Sequence, residues 1–573
     1  MVATESRTKT GRFAVIEQFL ADGMDHMFGN PGTVEQGFLD ALSAYPDMRY
    51  VLTLQESVAV LAADGYARAT QRPTLVQLHS TPGVGNAIGA LYQAYRGHSP
   101  LVVIGGDAGI RYAGMDAQMA GDVVAFCRPV TKWSTVVTDP RSLLRVLRRA
   151  IKIAATPPMG PVYVCLPQDI LDAEAFEPIR PTSIPSTRVA PTADVVRAAA
   201  QLLASAEHPM IFAGDGVAFS GAQAELERVA ELLGAEVWEA DAGEVNIRYD
   251  HPLYQGMTGH MFGSASAPIM QRGDVNLVCG TYLLPEVFPE LDDIFAPGAK
   301  VIHIDLNAYE IAKNHPVDLG LVADPKLTLA LLAEVLEETL SPAARQASAA
   351  RIASFRERRE RDGTAARAAD TAARDTMPLR MSRFIEELAP RVGADTVIFN
   401  EALTNTPPVV RYMAPQKTGE YFLTRGGSLG VGIPGAIGAK LARPEKTVIG
   451  FTGDGGAMYP SQALWTAARH DVAAKFVVCN NGSYQLLQSN IAQYWKERDI
   501  PAHAYPLCFD LSAPPLKFDE MARSMGVAGL RVEKPWEIGP AIEQMLAHPG
   551  PFLIDLVVEG DTHPELVRST CGQ

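Results

Sequence analysis

Short apolar runs that alternate with helix-like segments constrain the fold of this chain more than any other feature. Between residues 11 and 180 the runs YVLTLQ, TLVQLHS, PLVVIGG and GPVYVCLP are separated by segments with helical character. Apolar strands that alternate with helices are typical of a parallel sheet covered on both faces. The pattern therefore predicts a doubly wound α/β fold for this part of the chain.

The same alternation recurs twice more. It appears with HPMIFAGDGV, VNLVCGTYL and AKVIHIDLN in the middle of the chain, and with TVIFNEA, TVIGFTGDGG, KFVVCNNG and PFLIDLVVEG towards its end. A chain of 573 residues is also too long for one hydrophobic core. We predict the α/β class with three successive doubly wound parallel-sheet domains, at residues 1–185, 186–350 and 376–573, and a charged helical linker over 351–375.

The charge balance narrows the class of partner. The chain has 65 Asp and Glu residues against 50 Lys and Arg residues, a formal net charge of -15. Binding to nucleic-acid phosphates requires clustered basic residues, so we expect small-molecule substrates and no nucleic acid. The sequence contains no continuous apolar stretch of membrane-spanning length and no recognisable signal peptide. We therefore expect no membrane partner and a cytoplasmic location.

Two apolar runs of the third region end in polar residues. Asp454 follows VIGFTG, and Asn481 follows KFVVCN 27 positions later. Ligands of open parallel sheets bind beyond the carboxyl ends of the strands, and carboxylate, amide and carbonyl oxygens suit Mg²⁺ or Ca²⁺. The glycines beside Asp454 precede a helix whose first amides can receive phosphate. Either motif alone is also compatible with a tight turn, but together they predict a metal-bridged diphosphate site.

GDG followed by NN at this spacing resembles the signature of thiamine diphosphate (thiamine pyrophosphate) enzymes. The resemblance implies a thiamine diphosphate cofactor and Mg²⁺ or Ca²⁺ held by Asp454, Asn481 and the backbone oxygen of Ser483. A bulky aliphatic residue usually supports the cofactor in this family, and Leu429 is the matching position. The remaining cofactor-binding positions that the resemblance implies are Pro31, Gly32, Asn86, Leu403, Thr404, Gly453, Gly455, Gly456 and Tyr484.

In this family a glutamate of the first domain hydrogen-bonds the aminopyrimidine ring of the cofactor. Glu56 is the matching position, between the strand-like YVLTLQ and the helix-like SVAVLAADGYARAT. Taken alone, a glutamate in the first turn of a helix is also explained by the helix dipole. The resemblance further implies that Glu56 and Asp454 serve one cofactor from different subunits. We therefore expect a homodimer as the minimum assembly and a homotetramer as the usual one.

Several segments of the first region resemble benzoylformate decarboxylases, among them FGNPGTVEQGFLDAL, LQESVAV, LHSTPGVGNAIGALYQAY and VTKWS. This resemblance implies a proton-transfer role for His79 and, by residue type only, a substrate contact for Thr33. A second histidine of those enzymes has no match here, because the corresponding position falls near Val287 and Phe288. Gln493, in the helix-like QSNIAQYWKER, is a candidate for the missing active-site contact.

The activity that the resemblance implies is that of a thiamine diphosphate-dependent 2-oxo acid decarboxylase of benzoylformate-decarboxylase type, with carboligase potential. Three alternatives stay open. They are a 2-hydroxyacyl-CoA lyase or oxalyl-CoA decarboxylase-like lyase, an acetolactate synthase-like carboligase, and a non-catalytic binding protein on the same fold. The substrate is accordingly a 2-oxo acid or a 2-hydroxyacyl-CoA. The turns FAGDGVAFSG and HIDLNAYE are also compatible with ADP or another adenine nucleotide in the central domain.

Overall fold

The computed structural model describes residues 9–259 and 261–560. The chain divides into two compact units. The first contains Met1–Pro185, Asp375–Thr406 and Thr424–Gln573, and the second contains Ser186–Arg374 and Pro407–Leu423. Among the described residues, no helix combines the length and apolar character that crossing a membrane requires.

The N-terminal part of the first unit is a six-stranded parallel sheet with the strand order β2-β1-β3-β4-β6-β5. The central strands are fully buried because helices cover both faces of the sheet. The strands are β1 (His26–Gly29), β2 (Arg49–Leu52), β3 (Thr74–Leu78), β4 (Leu101–Asp107), β5 (Trp133–Val136) and β6 (Val162–Pro167). The helices are α1 (Gly11–Ala21), α2 (Gln36–Leu42), α3 (Glu56–Thr70), α4 (Ser80–Arg96), α5 (Val123–Cys127), α6 (Leu143–Ala155) and α7 (Gln168–Asp172).

The second unit is built on a parallel sheet with the order β12-β11-β10-β7-β8-β9. Helix α13 (Pro342–Ala372) runs for 31 residues and buries only Ser348, as a charged connector with no wide apolar face should. The strands are β7 (Pro209–Ala213), β8 (Glu236–Ala240), β9 (Tyr254–Thr258), β10 (Val275–Cys279), β11 (Lys300–Asp305) and β12 (Leu319–Val322). The helices are α8 (Ala193–Ala204), α9 (Asp215–Ser220), α10 (Gln223–Leu233), α11 (Gly263–Met270), α12 (Pro325–Thr339) and α13 (Pro342–Ala372).

The C-terminal part of the first unit contains parallel strands in the order β13-β15-β16-β18-β17. The strands of this part are β13 (Val397–Glu401), β15 (Val448–Gly453), β16 (Lys475–Asn480), β17 (Ala528–Val532) and β18 (Phe552–Val557). Its helices are α14 (Met381–Leu388), α16 (Gly432–Ala442), α17 (Asp454–Met458), α18 (Ala463–Arg469), α19 (Gln485–Glu497), α20 (Phe518–Ser524) and α21 (Pro535–Ala547). The intervening α15 (Thr406–Met413) and β14 (Tyr421–Leu423) lie in the segment that belongs to the second unit, apart from Thr406.

Helices α3 and α16 join the N-terminal and C-terminal parts of the first unit by very close packing. A Cβ atom added at Gly65 of α3 would lie 2.1 Å from the carbonyl oxygen of Gly435. A Cβ atom added at Gly438 of α16 would lie 1.9 Å from the carbonyl oxygen of Ala62. The two helices therefore approach at a distance that only glycine permits at these positions.

The three parallel sheets with flanking helices confirm the predicted α/β fold class. Residues of the predicted linker lie mostly within α13, which begins at Pro342 and ends at Ala372. The exact domain boundaries stay predictions from the sequence.

Candidate active site

The polar ends of β15 and β16 lie side by side. The two strands are parallel neighbours, with Gly453 paired to Cys479 at their carboxyl ends. Asp454 begins α17 immediately after β15, and Asn481 follows the last residue of β16. Neighbouring parallel strands end at one edge of the sheet, so the structure brings the two predicted metal ligands to the same place.

Main-chain amides hold the Asp454 carboxylate. The amide of Gly455 donates to Oδ1 at 2.7 Å, and the amide of Gly482 donates to Oδ2 at 2.6 Å. Burial raises the pKa of this carboxyl to about 6, although the surrounding backbone hydrogen bonds lower it. A divalent cation beside Asp454 would favour the charged carboxylate and oppose the effect of burial.

The Asn481 side chain is fixed on both sides. Its Oδ1 accepts a hydrogen bond of 3.0 Å from the amide of Ser483, and its Nδ2 donates to Oε1 of Gln485 at 3.0 Å. The hydroxyl of Ser483 is buried and has no hydrogen-bond partner within the described ranges. The described residues also contain no group of three or more His, Cys, Asp and Glu side chains placed to hold a metal. A cation at Asp454 would therefore depend on amide and carbonyl oxygens.

A cavity of about 320 Å³ opens at this edge of the sheet. Its volume is within the range of small-molecule sites, which begins near roughly 300 Å³. All of its lining residues come from the C-terminal part of the chain. They are Ala402, Leu403, Thr404, Asn405, Leu429, Gly453, Asp454, Gly455, Gly456, Tyr459, Cys479, Asn481, Ser483, Tyr484, Gln485, Leu486 and Leu487.

Two glycines of this cavity have different surroundings. A Cβ atom added at Gly453 would meet nothing within 4 Å, so this residue faces open space. At Gly455 an added Cβ atom would lie 2.4 Å from the ring of Tyr484, so the absence of a side chain permits this close packing. The open space beside Gly453 at the start of α17, the Ser483 hydroxyl without a partner among the described residues and the Asp454 carboxylate together fit a diphosphate group and a hard cation.

Two residues at or next to the cavity wall, Gln485 and Glu401, were not predicted from the sequence. The side chain of Gln485 accepts hydrogen bonds from Asn481 and, at 3.0 Å, from the Thr404 hydroxyl, so it links two predicted cofactor contacts. The buried Glu401 carboxylate accepts the amides of Gly430 and Gly432 at 2.5 and 2.8 Å. Glu401 thereby fixes the turn that follows Leu429.

A second polar cluster surrounds Glu56 at the carboxyl edge of the N-terminal sheet. Its Oε1 accepts from Nδ2 of Asn30 at 3.1 Å, and its Oε2 accepts from Nδ2 of Asn86 at 3.0 Å. Glu56 is only 5% exposed. The side chain of Gln55 caps α3 by accepting from the amides of Ser57 and Val58. Capping therefore does not require Glu56, and its carboxylate is held by side-chain amides instead.

His79 follows β3 at the same edge and pairs with a buried carboxylate. Its Nδ1 lies 3.1 Å from Oε2 of Glu35. Burial raises the pKa of the Glu35 carboxyl, and the charge of His79 opposes this shift. Gly32 packs directly on the ring, because an added Cβ atom would lie 1.8 Å from Nδ1 of His79. The neighbouring Pro31 and Thr33 are exposed.

Asn30 and Glu35 are site residues that sequence reasoning missed. Both lie in the segment after β1, which ends at Gly29 on the same edge as Glu56. The rule that identified Asp454, a polar residue directly after a buried strand, also applies to Asn30. For Glu35 no such signal exists, since its burial depends on the packing of the loop against His79.

Gln493 lies in α19, the helix that begins at Gln485, shortly after Asn481. Its Nε2 donates to Oε1 of Glu497 at 2.8 Å, and it does not line the cavity described above. Val287 and Phe288, near the position that corresponds to the second histidine of benzoylformate decarboxylases, are exposed residues of the second unit. The contacts that Gln493 makes with a substrate stay a prediction, as do the roles of the other site residues.

Three domain families match successive parts of the chain. They are the N-terminal TPP binding domain of thiamine pyrophosphate enzymes over residues 9–126, the central domain over 196–332 and the C-terminal TPP binding domain over 405–556. These matches contain Glu56, His79, Asp454 and Asn481.

Relatives match over nearly the whole chain. Benzoylformate decarboxylase of Pseudomonas aeruginosa PAO1 is 30% identical over 96% of this chain and 98% of its own length. A probable acetolactate synthase large subunit of Methanocaldococcus jannaschii is 29% identical over 96% of this chain and 92% of its own length. The structure of a thiamine diphosphate-dependent 4-hydroxybenzoylformate decarboxylase of Rhodococcus jostii RHA1 is similar with a TM-score of 0.82, at 27% identity over 96% of this chain and 100% of the other. The chain belongs to the thiamine pyrophosphate enzyme family.

Proposed function

We propose that the protein is a thiamine diphosphate-dependent decarboxylase that releases CO₂ and an aldehyde from a 2-oxo acid of the benzoylformate type. The observation that carries the proposal is the His79–Glu35 pair on the same sheet edge as Glu56. Loss of CO₂ leaves a carbon that must receive a proton before an aldehyde can leave. An imidazole beside a buried carboxylate is suited to deliver that proton.

In this proposal the bound cofactor supplies the electron sink for the broken carbon–carbon bond. Asp454, Asn481 and the backbone oxygen of Ser483 would hold Mg²⁺ or Ca²⁺, and the amides at the start of α17 would hold the diphosphate. Glu56 would hydrogen-bond the aminopyrimidine ring of the cofactor, and Asn30 and Asn86 fix the direction of its carboxylate. His79 delivers the proton to the product, and Thr33 and Gln493 contact the substrate.

The separation of the Glu56 cluster from the Asp454 cavity supports a proposal about how subunits assemble. Glu56 is absent from the lining of the cavity beside Asp454, whose residues all come from the C-terminal part of the chain. We propose that Glu56 of one subunit completes the cavity of a second subunit. A homodimer is then the minimum active form, and a homotetramer is the expected one.

Carboligation of the acetolactate synthase type is the second candidate activity. The support for it is the probable acetolactate synthase large subunit from Methanocaldococcus jannaschii, which also matches 96% of this chain. A lyase acting on 2-hydroxyacyl-CoA or oxalyl-CoA is a further alternative. No described feature favours it over the other two.

An adenine nucleotide such as ADP is proposed for the second unit. Gly216 and Gly280 approach closely at the carboxyl ends of β7 and β10, where an added Cβ atom at Gly216 would lie 2.6 Å from Cα of Gly280. Asp305 ends β11 at the same edge, and burial raises the pKa of its carboxyl to about 7. Chromatography of small molecules released from the denatured protein tests this: ADP at one per chain supports the site, and its absence after incubation with ADP argues against it.

The substrate is tested by parallel assays of the cofactor-loaded protein with Mg²⁺. Benzoylformate, pyruvate, and formyl-CoA with a carbonyl acceptor are offered separately. We expect CO₂ and benzaldehyde from benzoylformate. Acetolactate from pyruvate without benzaldehyde would instead favour the carboligase, and an acyl-CoA product would favour the lyase. Cytoplasmic location and the absence of nucleic-acid and membrane partners remain predictions from the sequence.

A further inference from the structure

A second polar cavity of about 310 Å³ lies at the amino-terminal edge of the first sheet. It is the opposite edge from Glu56 and His79, because its lining includes His26 and Thr74, the first residues of β1 and β3. The C-terminal part of the chain contributes Arg443, which follows α16. This cavity is therefore separate from the site described above.

Two arginines in the lining of this cavity have no acidic partner. Neither Arg72 nor Arg443 forms an ion pair with any residue in the described ranges. Arg443 donates one hydrogen bond, of 2.8 Å, to the carbonyl oxygen of Ala69 and keeps its other donors. Two unpaired guanidinium groups in one cavity are notable in a chain with a net charge of -15.

The acidic residue of the cavity is already engaged. Oδ1 of Asp25 lies 2.7 Å from Nδ1 of His26, and the Tyr66 hydroxyl lies 3.2 Å from the same nitrogen. The other ring nitrogen of His26, Nε2, is buried without a hydrogen-bond partner within the described ranges. His26 is 8% exposed. The cavity thus combines two guanidinium groups that have no acidic partner among the described residues with a carboxylate that already faces His26. An oxyanion would supply the acceptors that the two arginines lack.

We propose that this cavity binds a small metabolite through a phosphate or carboxylate group held by Arg72 and Arg443. The planar guanidinium group binds both kinds of oxyanion through paired hydrogen bonds. The cavity volume is at the lower end of the range for small-molecule sites, which suits a small metabolite. The partial negative charge at the end of α3 opposes an anion, so binding depends on both arginines.

The position of the cavity connects it to the cofactor region. Helix α3 begins at Glu56, and its last turns contribute Tyr66 and Thr70 to the cavity. A helix of 15 residues spans about 22 Å at the usual rise per residue, which sets the approximate distance from the cavity to Glu56. Helix α16 begins close after Leu429 and ends beside the same cavity. A bound anion would therefore contact the far ends of both helices.

Calorimetric titration of the enzyme loaded with thiamine diphosphate and Mg²⁺ tests the proposal. The loaded enzyme is used so that inorganic phosphate cannot enter the diphosphate site. Phosphate and malonate are titrated separately, with sodium chloride holding the ionic strength constant. We expect saturable binding of at least one of them, weakened at least tenfold in the double variant Arg72→Gln/Arg443→Gln. Stronger binding of phosphate identifies a phosphate ligand, and stronger binding of malonate identifies a carboxylate ligand.

Arg356→Gln, an exposed position on α13, is the matched control and should bind like the wild type. If the double variant does not fold, Arg72→Gln alone serves, because the Arg72 guanidinium donates no hydrogen bond to any other residue in the described ranges. The proposal is overturned if neither anion binds saturably to the wild type, or if the arginine variants bind as tightly as the wild type. Equal binding by the variants and the wild type would show that the anion binds elsewhere on the protein, as an adventitious ion only.

Discussion

The Glu56 and Asp454 sites both follow a buried strand at the carboxyl edge of a parallel sheet, but they are built from different donors. Side-chain amides of Asn30 and Asn86 hold Glu56, one on each carboxylate oxygen. Main-chain amides of Gly455 and Gly482 hold Asp454. Side-chain donors fix the direction of the Glu56 carboxylate, whereas the donors around Asp454 are part of the main-chain fold. The first arrangement suits a directed hydrogen bond to a ligand, and the second suits the binding of a charged group.

Removal of the Asp454 carboxylate should have the largest effect. In Asp454→Ala we expect the dissociation constant for thiamine diphosphate with Mg²⁺ to rise by more than roughly 100-fold, since loss of a residue supporting a metal ligand already costs about 10–100-fold. Calorimetric titration measures the change, with the exposed Asp47→Ala as control. Affinity equal to the wild type would remove Asp454 from the metal site.

Replacement of Glu56 should separate catalysis from binding. In Glu56→Gln we expect kcat to fall by roughly 10²–10⁴-fold, the range for loss of a proton-transfer group, because the amide cannot exchange a proton with the cofactor. The dissociation constant for the cofactor should change by only a few-fold. The exposed Glu357→Gln is the control. Wild-type turnover by Glu56→Gln, or loss of the cofactor from it, would contradict the distinction between the two sites.

Glu35 should have a smaller effect on turnover because it acts through His79. In Glu35→Gln we expect kcat to fall by about tenfold, less than the range for a group that transfers the proton itself. The pH profile of kcat should also change, since a neutral amide no longer faces the imidazole. An unchanged rate and an unchanged profile in this variant would leave Glu35 with a packing role alone.

The same variant has a predicted effect on stability. Burial raises the pKa of Glu35 above its ordinary value of 4.5, with His79 opposing the shift. A raised pKa means that the folded protein holds the proton more tightly than the unfolded chain, so this contribution to stability is lost as pH rises above 4.5. The free energy of unfolding of Glu35→Gln should therefore fall less steeply with pH than that of the wild type. Denaturant titrations at several pH values measure the difference, and parallel curves would argue against the raised pKa.

The main features of the fold and the location of the Asp454 site could be predicted from the sequence for the same reason. Continuous apolar runs identify buried parallel strands, and a polar residue directly after such a run, such as Asp454 or Asn481, lies at the ligand-binding edge. Glu401 also closes a buried apolar run, TVIFNEA, but its contacts with the amides of Gly430 and Gly432 could not be predicted, because these residues are distant in sequence. Glu35 follows no such run, so its burial against His79 could not be found in this way.

The variant with the smallest expected effect, Gln485→Ala, tests whether main-chain donors alone are sufficient to hold the Asp454 site in place. Gln485 provides the side-chain link in that cavity, because it accepts from Asn481 and Thr404. In Gln485→Ala, Oδ1 of Asn481 remains fixed by the amide of Ser483, so the predicted ligand keeps its direction. A neutral hydrogen bond contributes about 0.5–1.5 kcal/mol, which corresponds to a loss of roughly 2–12-fold in affinity for the cofactor with Mg²⁺. Calorimetric titration against Asn490→Ala, on the same helix, measures it. A loss as large as that in Asp454→Ala would show that side-chain contacts also hold this site, and the contrast between the two sites would fail.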